Sequence, residues 1–156
     1  MTPNVDDRLA SIIRALTEVV LPHLPPDASL AQEQVHLSVG QLQILRAQFD
    51  AVPDFEREEL DDAIAIGKAL CGGVNGGAET KAALSALATS IAAAGGNDVR
   101  GERMAISNAV AVLVRAVSVD GDAAGKTALS QIILQHEHPR VQKDRQWFAP
   151  FGFDTL

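Results

Sequence analysis

Apolar and polar residues repeat at helical spacing along nearly the whole chain, and no stretch alternates as a half-buried strand would. Over residues 5–21, Val5, Leu9, Ile12, Ile13, Leu16 and Val20 fall on one stripe, with Asp7, Ser11, Arg14 and Glu18 opposite. This is an amphipathic surface helix with one face to bury. Asn4 is placed to cap it, Asp6 and Asp7 suit the positive end of its dipole, and Pro22, Pro25 and Pro26 stop it.

The second segment, residues 29–50, opens on Ser29-Leu30-Ala31-Gln32, which has capping-box spacing. At roughly 100° per residue, Val35, Val39, Leu42, Leu45 and Phe49 form one broad apolar face. Leu30, Leu37 and Ile44 form a second face nearly opposite. Two polar rows, Gln34, Gln41, Gln48 and His36, Gln43, Asp50, separate the faces. A helix with two apolar faces has to bury both, either inside its own domain or against a partner subunit.

Pro53 and Asp54 announce a third helix over residues 55–71, whose first two turns carry Asp54, Glu56, Glu58, Glu59, Asp61 and Asp62. Carboxylates there favour the helix dipole and read as a solvated helix start. A calcium loop would need a glycine turn and fixed ligand spacing, and neither is present. Residues 71–77, Cys-Gly-Gly-Val-Asn-Gly-Gly, read as a flexible link or a loop with several residues at positive φ. A fourth helix over 78–94 is mostly alanine, with Leu84, Leu87 and Ile91 as its large apolar residues, and Gly95-Gly96 ends it. The fifth, over 99–119, is capped by Asp98 or Asn97 and is apolar around most of its circumference, as the middle of a bundle requires. Asp120-Gly121-Asp122 makes a turn, and a sixth helix runs over 123–136. The pattern predicts an all-α single-domain helical bundle of five to six helices spanning residues 1–156, centred on helices two and five, with 140–156 as an aromatic C-terminal tail.

Composition narrows what such a bundle does. At 156 residues the chain can remove roughly 70% of its unfolded surface from water, so a core needs neither metal nor disulfide. A hydrophobic content of 47% against 21% charged residues excludes a disordered chain. Thirteen basic and twenty acidic residues give a net charge of −7, which argues against nucleic acid and against an anionic membrane surface. The N-terminus is acidic where a signal peptide would be basic, and the longest apolar run, residues 109–114, is far short of the roughly 20 that span a bilayer. The single cysteine, Cys71, fits a reducing compartment and reads as a small buried hydrophobe. A cytoplasmic protein is the expectation.

Three motifs touch on chemistry, and each falls short. Residues 121–127, Gly-Asp-Ala-Ala-Gly-Lys-Thr, imitate a phosphate-binding loop but have three residues where the loop needs four, and they follow a helix instead of a strand. Glu33 and His36 have the Glu-x-x-His spacing of di-iron bundles, but the pair occurs once and His36 lies in a polar row. His136-Glu137-His138 sits at a helix end, where imidazolium suits the negative terminus, and no further metal ligand follows. No catalytic residue, metal site or cofactor is assigned.

The tail holds four of the six aromatics, Trp147, Phe148, Phe151 and Phe153, preceded by Arg140, Lys143 and Arg145. Either it folds back onto the helices with its basic residues near the acidic start of helix three, or it docks into a second subunit or another protein. The expected function is a non-enzymatic interaction or oligomerising module, a homo-oligomer or one with a protein partner. Leu30, Leu37, Ile44, Trp147, Phe148, Phe151 and Phe153 are the contact candidates. The alternative is a small-molecule-binding bundle or accessory enzyme, with an apolar pocket among helices two, five and six lined by Gln43, His36 or Asn108.

Overall fold

The computed structural model describes residues 4–152, and the chain is all-α as its periodicity predicts. Among the described residues there is no strand, only one isolated antiparallel bridge between Gly76 and Gly121. No described helix is long and apolar enough to cross a membrane. Backbone contacts divide the chain into two compact units, residues 1–52 and 53–156.

The first unit is a helical hairpin. Helix α1 (Val5–Arg14) opens on a capping box in which Asn4 Oδ1 accepts the Asp7 N–H at 2.8 Å and the Asp7 carboxylate accepts the Asn4 N–H. The helix then widens into a π turn, Ala15–Val20, and tightens into a 3₁₀ turn, Leu21–His23. Pro22 accounts for this change: it has no N–H to donate, and its ring crowds the carbonyl four residues back, so the backbone leaves α geometry before it. Helix α2 (Ser29–Gln48) starts without the expected capping box, because Ser29 already lies inside the helix and Ala28 takes the cap position. Arg46 near the end of α2 pairs with Asp6 at the start of α1, with Nη2 to Oδ2 at 2.9 Å. Among the described residues of this unit, Leu9 and Ile44 are the two buried side chains.

The second unit holds α3 (Val52–Gly73), α4 (Ala78–Ala93), α5 (Val99–Asp120) and α6 (Ala123–Phe148). Its core joins Leu60, Leu70, Val74, Ala83, Leu87, Ile106, Leu113, Ala116, Val117 and Leu129. Helix α5 supplies four of these and is central, as its all-round apolar surface requires. Helix two was expected at the centre as well, but α2 buries only Ile44. The expected end of helix six at residue 136 is also corrected: α6 runs through Pro139 to Phe148, so most of the tail is helix.

Asp120 and Asp122 organise the turn between α5 and α6. Asp122 caps α6 by accepting the Gly125 N–H. The Asp120 carboxylate caps α4 from a distance, accepting the N–H of Glu79 at 2.7 Å, the N–H of Thr80 at 3.0 Å and the Thr80 hydroxyl. This replaces the cap that Gly77, the residue before α4, has no side chain to provide. The Thr80 hydroxyl and these backbone N–H groups hold the Asp120 carboxyl below the usual aspartate value. Asp120→Ala is therefore expected to lower the thermal midpoint and to speed amide exchange at Glu79 and Thr80 ahead of the rest of α4. Unchanged exchange at those two amides would contradict the capping role.

Candidate functional site

The acidic start of α3 is less solvated than its composition suggests. Glu56, Glu59 and Asp62 lie three residues apart and so share one face of the helix, while Asp54, Glu58 and Asp61 are exposed. Basic residues with the same spacing meet that face. From α5, Arg100 pairs with Glu56 and Arg103 pairs with Glu59. From α6, Arg140 and Lys143 pair with Glu59, and Lys143 also pairs with Asp62.

Glu59 is the hub. Its side chain is 5% exposed, and three cations surround it: Arg140 Nη2 at 3.0 Å, Arg103 Nη1 at 3.3 Å and Lys143 Nζ at 2.8 Å. Burial pushes the Glu59 carboxyl up, but the hydrogen bonds and charges of Lys143 and Arg140 outweigh it and hold the carboxyl below the usual glutamate value. A carboxylate with so little water around it is stable as an anion only because these cations replace its hydration. Burial lowers the Lys143 ammonium, but hydrogen bonds to Asp62 and Glu59 dominate and raise it above the ordinary lysine value.

An aromatic contact fastens the same face. Trp147 stacks on Phe55 with ring centroids 4.3 Å apart and planes 27° from parallel, and the Lys143 ammonium lies 5.3 Å from the Phe55 ring centre. These contacts explain why α6 stays helical beyond Pro139. The basic residues of the tail meet the acidic start of α3, and Trp147 packs within the chain.

Beside Glu59 a cavity of about 170 Å³ opens between α3, α5 and α6. Glu59, Asp62, Arg103, Ser107, His136, Glu137 and Arg140 give it a polar side, while Ala63, Ile66, Ile106 and Val110 give it an apolar one. It uses none of the pocket residues expected from the pattern: His36, Gln43 and Asn108 are all exposed. Neither Glu59 nor the two arginines stood out as site residues. The signal that could have found them is the matching three-residue spacing of acids on α3 and bases on α5 and α6.

The contact candidates separate. Leu30 is 68% and Leu37 55% exposed, whereas Ile44 on the same stripe is buried at the end of α2 tied to α1. Trp147 is half-buried on Phe55, Phe148 is exposed, Phe151 is half-buried in a closing 3₁₀ turn, and Phe153 lies outside the described residues. Glu33 and His36 are both exposed. The segment that imitates a phosphate loop is the capped start of α6: the Asp122 carboxylate takes the Gly125 N–H, and the Thr127 hydroxyl bonds back to the Ala123 carbonyl at 3.0 Å. Cys71 is half-buried, with Sγ 3.9 Å from the Leu84 carbonyl oxygen, and burial pushes its thiol up, away from the thiolate a nucleophile needs. Compared with protein-family models, curated proteins and solved structures, the chain matches none.

Proposed function

We propose that this chain is a non-enzymatic interaction module that pairs with a second copy of itself through the α1–α2 hairpin. The observation that carries this reading is how little the hairpin buries. Ile12, Val19, Leu30, Leu37, Leu45 and Phe49 are each between 45% and 68% exposed, while Leu9 and Ile44 alone among its residues are buried. Apolar surface gathered on one small element is the mark of an interface, since scattered single residues would need no explanation.

The size of the hairpin favours a second copy as the occupant. A helix of about 20 residues is about 30 Å long, and two helices packed about 10 Å apart present a face of roughly 600 Å² before side-chain relief is counted. That approaches the roughly 800 Å² per partner of a standard interface. Two hairpins packed face to face form a four-helix arrangement about a two-fold axis, in which each chain lends the other the core it lacks. Leu30 and Leu37 are the exposed members of the stripe they share with Ile44.

Light scattering at micromolar concentration tests this directly, with twice the chain mass expected. The double variant L30E/L37E is expected to weaken association by about tenfold or more while leaving the helical circular dichroism intact, because central apolar anchors dominate interface energies. A wild-type monomer across the micromolar range, or a dimer unaffected by the two glutamates, would overturn the reading.

A further inference from the structure

Helix α5 is central to its unit and yet covered on one side only. Ile106, Leu113, Ala116 and Val117 are buried, while Met104 is 60%, Val112 45% and Val119 67% exposed. At about 100° per residue these three share one face with Asn108, Ala111 and Arg115, which are exposed as well. No Asp or Glu occurs from residue 103 to residue 119, although the chain carries a net charge of −7. The side chains of Asn108 and Arg115 have no partner among the described residues. Apolar residues gathered on one strip and free of the prevailing charge have the composition of an interface, where charged residues are depleted.

The order of the residues along the strip says what covers it. From a midpoint between Ala111 and Val112 the strip reads alike in both directions, with Asn108 and Arg115 equally far out, then Met104 and Val119. A two-fold axis through that midpoint runs two copies of α5 antiparallel. It sets Ala111 of each copy against Val112 of the other, Asn108 against Arg115, and Met104 against Val119. Each pair is compatible: aliphatic on aliphatic, a guanidinium donating to an amide oxygen, and a long apolar side chain on a branched one. The two Arg115 positions are roughly 10 Å apart along the axis, so the like charges stay separate. We infer that this face of α5 is a second self-association surface, on which two copies pair antiparallel about a two-fold axis. From Met104 to Val119 the strip is about 24 Å long and about 10 Å wide, well under the roughly 800 Å² of a standard interface. The contact is therefore weak and forms above the micromolar range. It shares no residue with the α1–α2 hairpin and does not rest on that pairing.

Disulfide trapping in a glutathione buffer at submillimolar protein tests the arrangement. The full-length chain carries Cys71→Ala, to remove the native thiol, and L30E/L37E, so that the outcome is the same whether or not the hairpin pairs. A cysteine is then placed at Ala111 or at Ser118, both exposed. With helix axes about 8 Å apart, the two-fold arrangement brings the Cα atoms of residue 111 to roughly 6 Å, within disulfide range. It leaves those of residue 118 roughly 20 Å apart. Ala111→Cys is expected to form a linked dimer at least about tenfold faster than Ser118→Cys. Adding Val112→Glu, which sets two carboxylates at the centre, is expected to slow that linkage about tenfold. Val112→Cys has the same geometry as A111C and repeats the test if A111C loses its helical signal. The inference is overturned by equal linkage at 111 and 118, by faster linkage at 118, or by linkage that V112E leaves undiminished. It is overturned as well if neither 111 nor 112 links, which leaves the face to a different protein.

Discussion

Glu59→Ala is expected to destabilise the second unit by about 2–4 kcal/mol, the largest effect of any single charge removal in this protein. The variant leaves Arg103, Arg140 and Lys143 facing one another with no anion between them. Breaking a fully buried pair costs about 3–5 kcal/mol; the value here is lower because the cations keep 23–37% of their side-chain surface in water and can rehydrate. Denaturant unfolding with an unchanged slope is the measurement, and a loss under about 1 kcal/mol would show that the cluster is merely a surface network.

The same cluster fixes a pH dependence. Glu59 titrates lower when folded than unfolded, so its contribution is fully present above the unfolded value of about 4.3 and is lost as pH falls through the lowered folded value. Lys143 titrates higher when folded, so its contribution is fully present below the unfolded value of about 10.4 and is lost as pH rises through the raised one. Between about pH 5 and pH 10 the cluster adds no slope to the stability. The acid limb of the wild-type stability curve is expected to be steeper than that of Glu59→Ala, and parallel limbs would remove Glu59 as its cause.

Gly125→Ala is expected to cost about 2 kcal/mol or more, although alanine in place of glycine inside a helix ordinarily gains about 1 kcal/mol. A Cβ on Gly125 would sit 2.0 Å from the Asn75 carbonyl oxygen and 3.0 Å from two further backbone atoms of Asn75. A flexible side chain could move aside at small cost, but this neighbour is backbone. The adjoining Gly77 N–H also bonds the Asp120 carbonyl at 3.0 Å, which pins the link between α3 and α4 in place. Thermal unfolding compares the variant with the wild type, and a midpoint equal to or above wild type would mean that the link yields freely. This close approach is the role of a glycine in the segment whose sequence only imitates a phosphate loop.

Much of the local structure was legible because it depends on near neighbours. Asn4 with Asp7 three residues on, and Asp98 before the fifth helix, act within one helical turn, and both cap as their spacing implies. The apolar surface around the fifth helix led correctly to its central place, since nothing but surrounding helices can cover such a surface. Helix six shows where local reasoning stops. A proline at position 139 costs a helix about 3 kcal/mol by itself, yet α6 continues through it to Phe148. Pairs between Arg140 or Lys143 and carboxylates of α3, with Trp147 stacked on Phe55, offset that cost, and they join residues about eighty positions apart.

The second helix makes the same point for a surface. Periodicity assigns Leu30, Leu37 and Ile44 to one stripe without saying how far along it a neighbour reaches. Ile44 is buried at the end of α2 that Arg46 ties to the start of α1, while Leu30 and Leu37 stay open. The cavity lay further still from the sequence. Each of Glu59, Arg103 and Arg140 taken alone is an ordinary charged residue on a helix, and only the packing of α3, α5 and α6 buries one carboxylate among three cations. The sequence by itself determined which segments are helices and which faces are apolar, because those follow from backbone period and side-chain transfer energies. The tertiary structure alone decided which charges lost their water and which apolar residues kept it, because desolvation is set by neighbours distant in the chain.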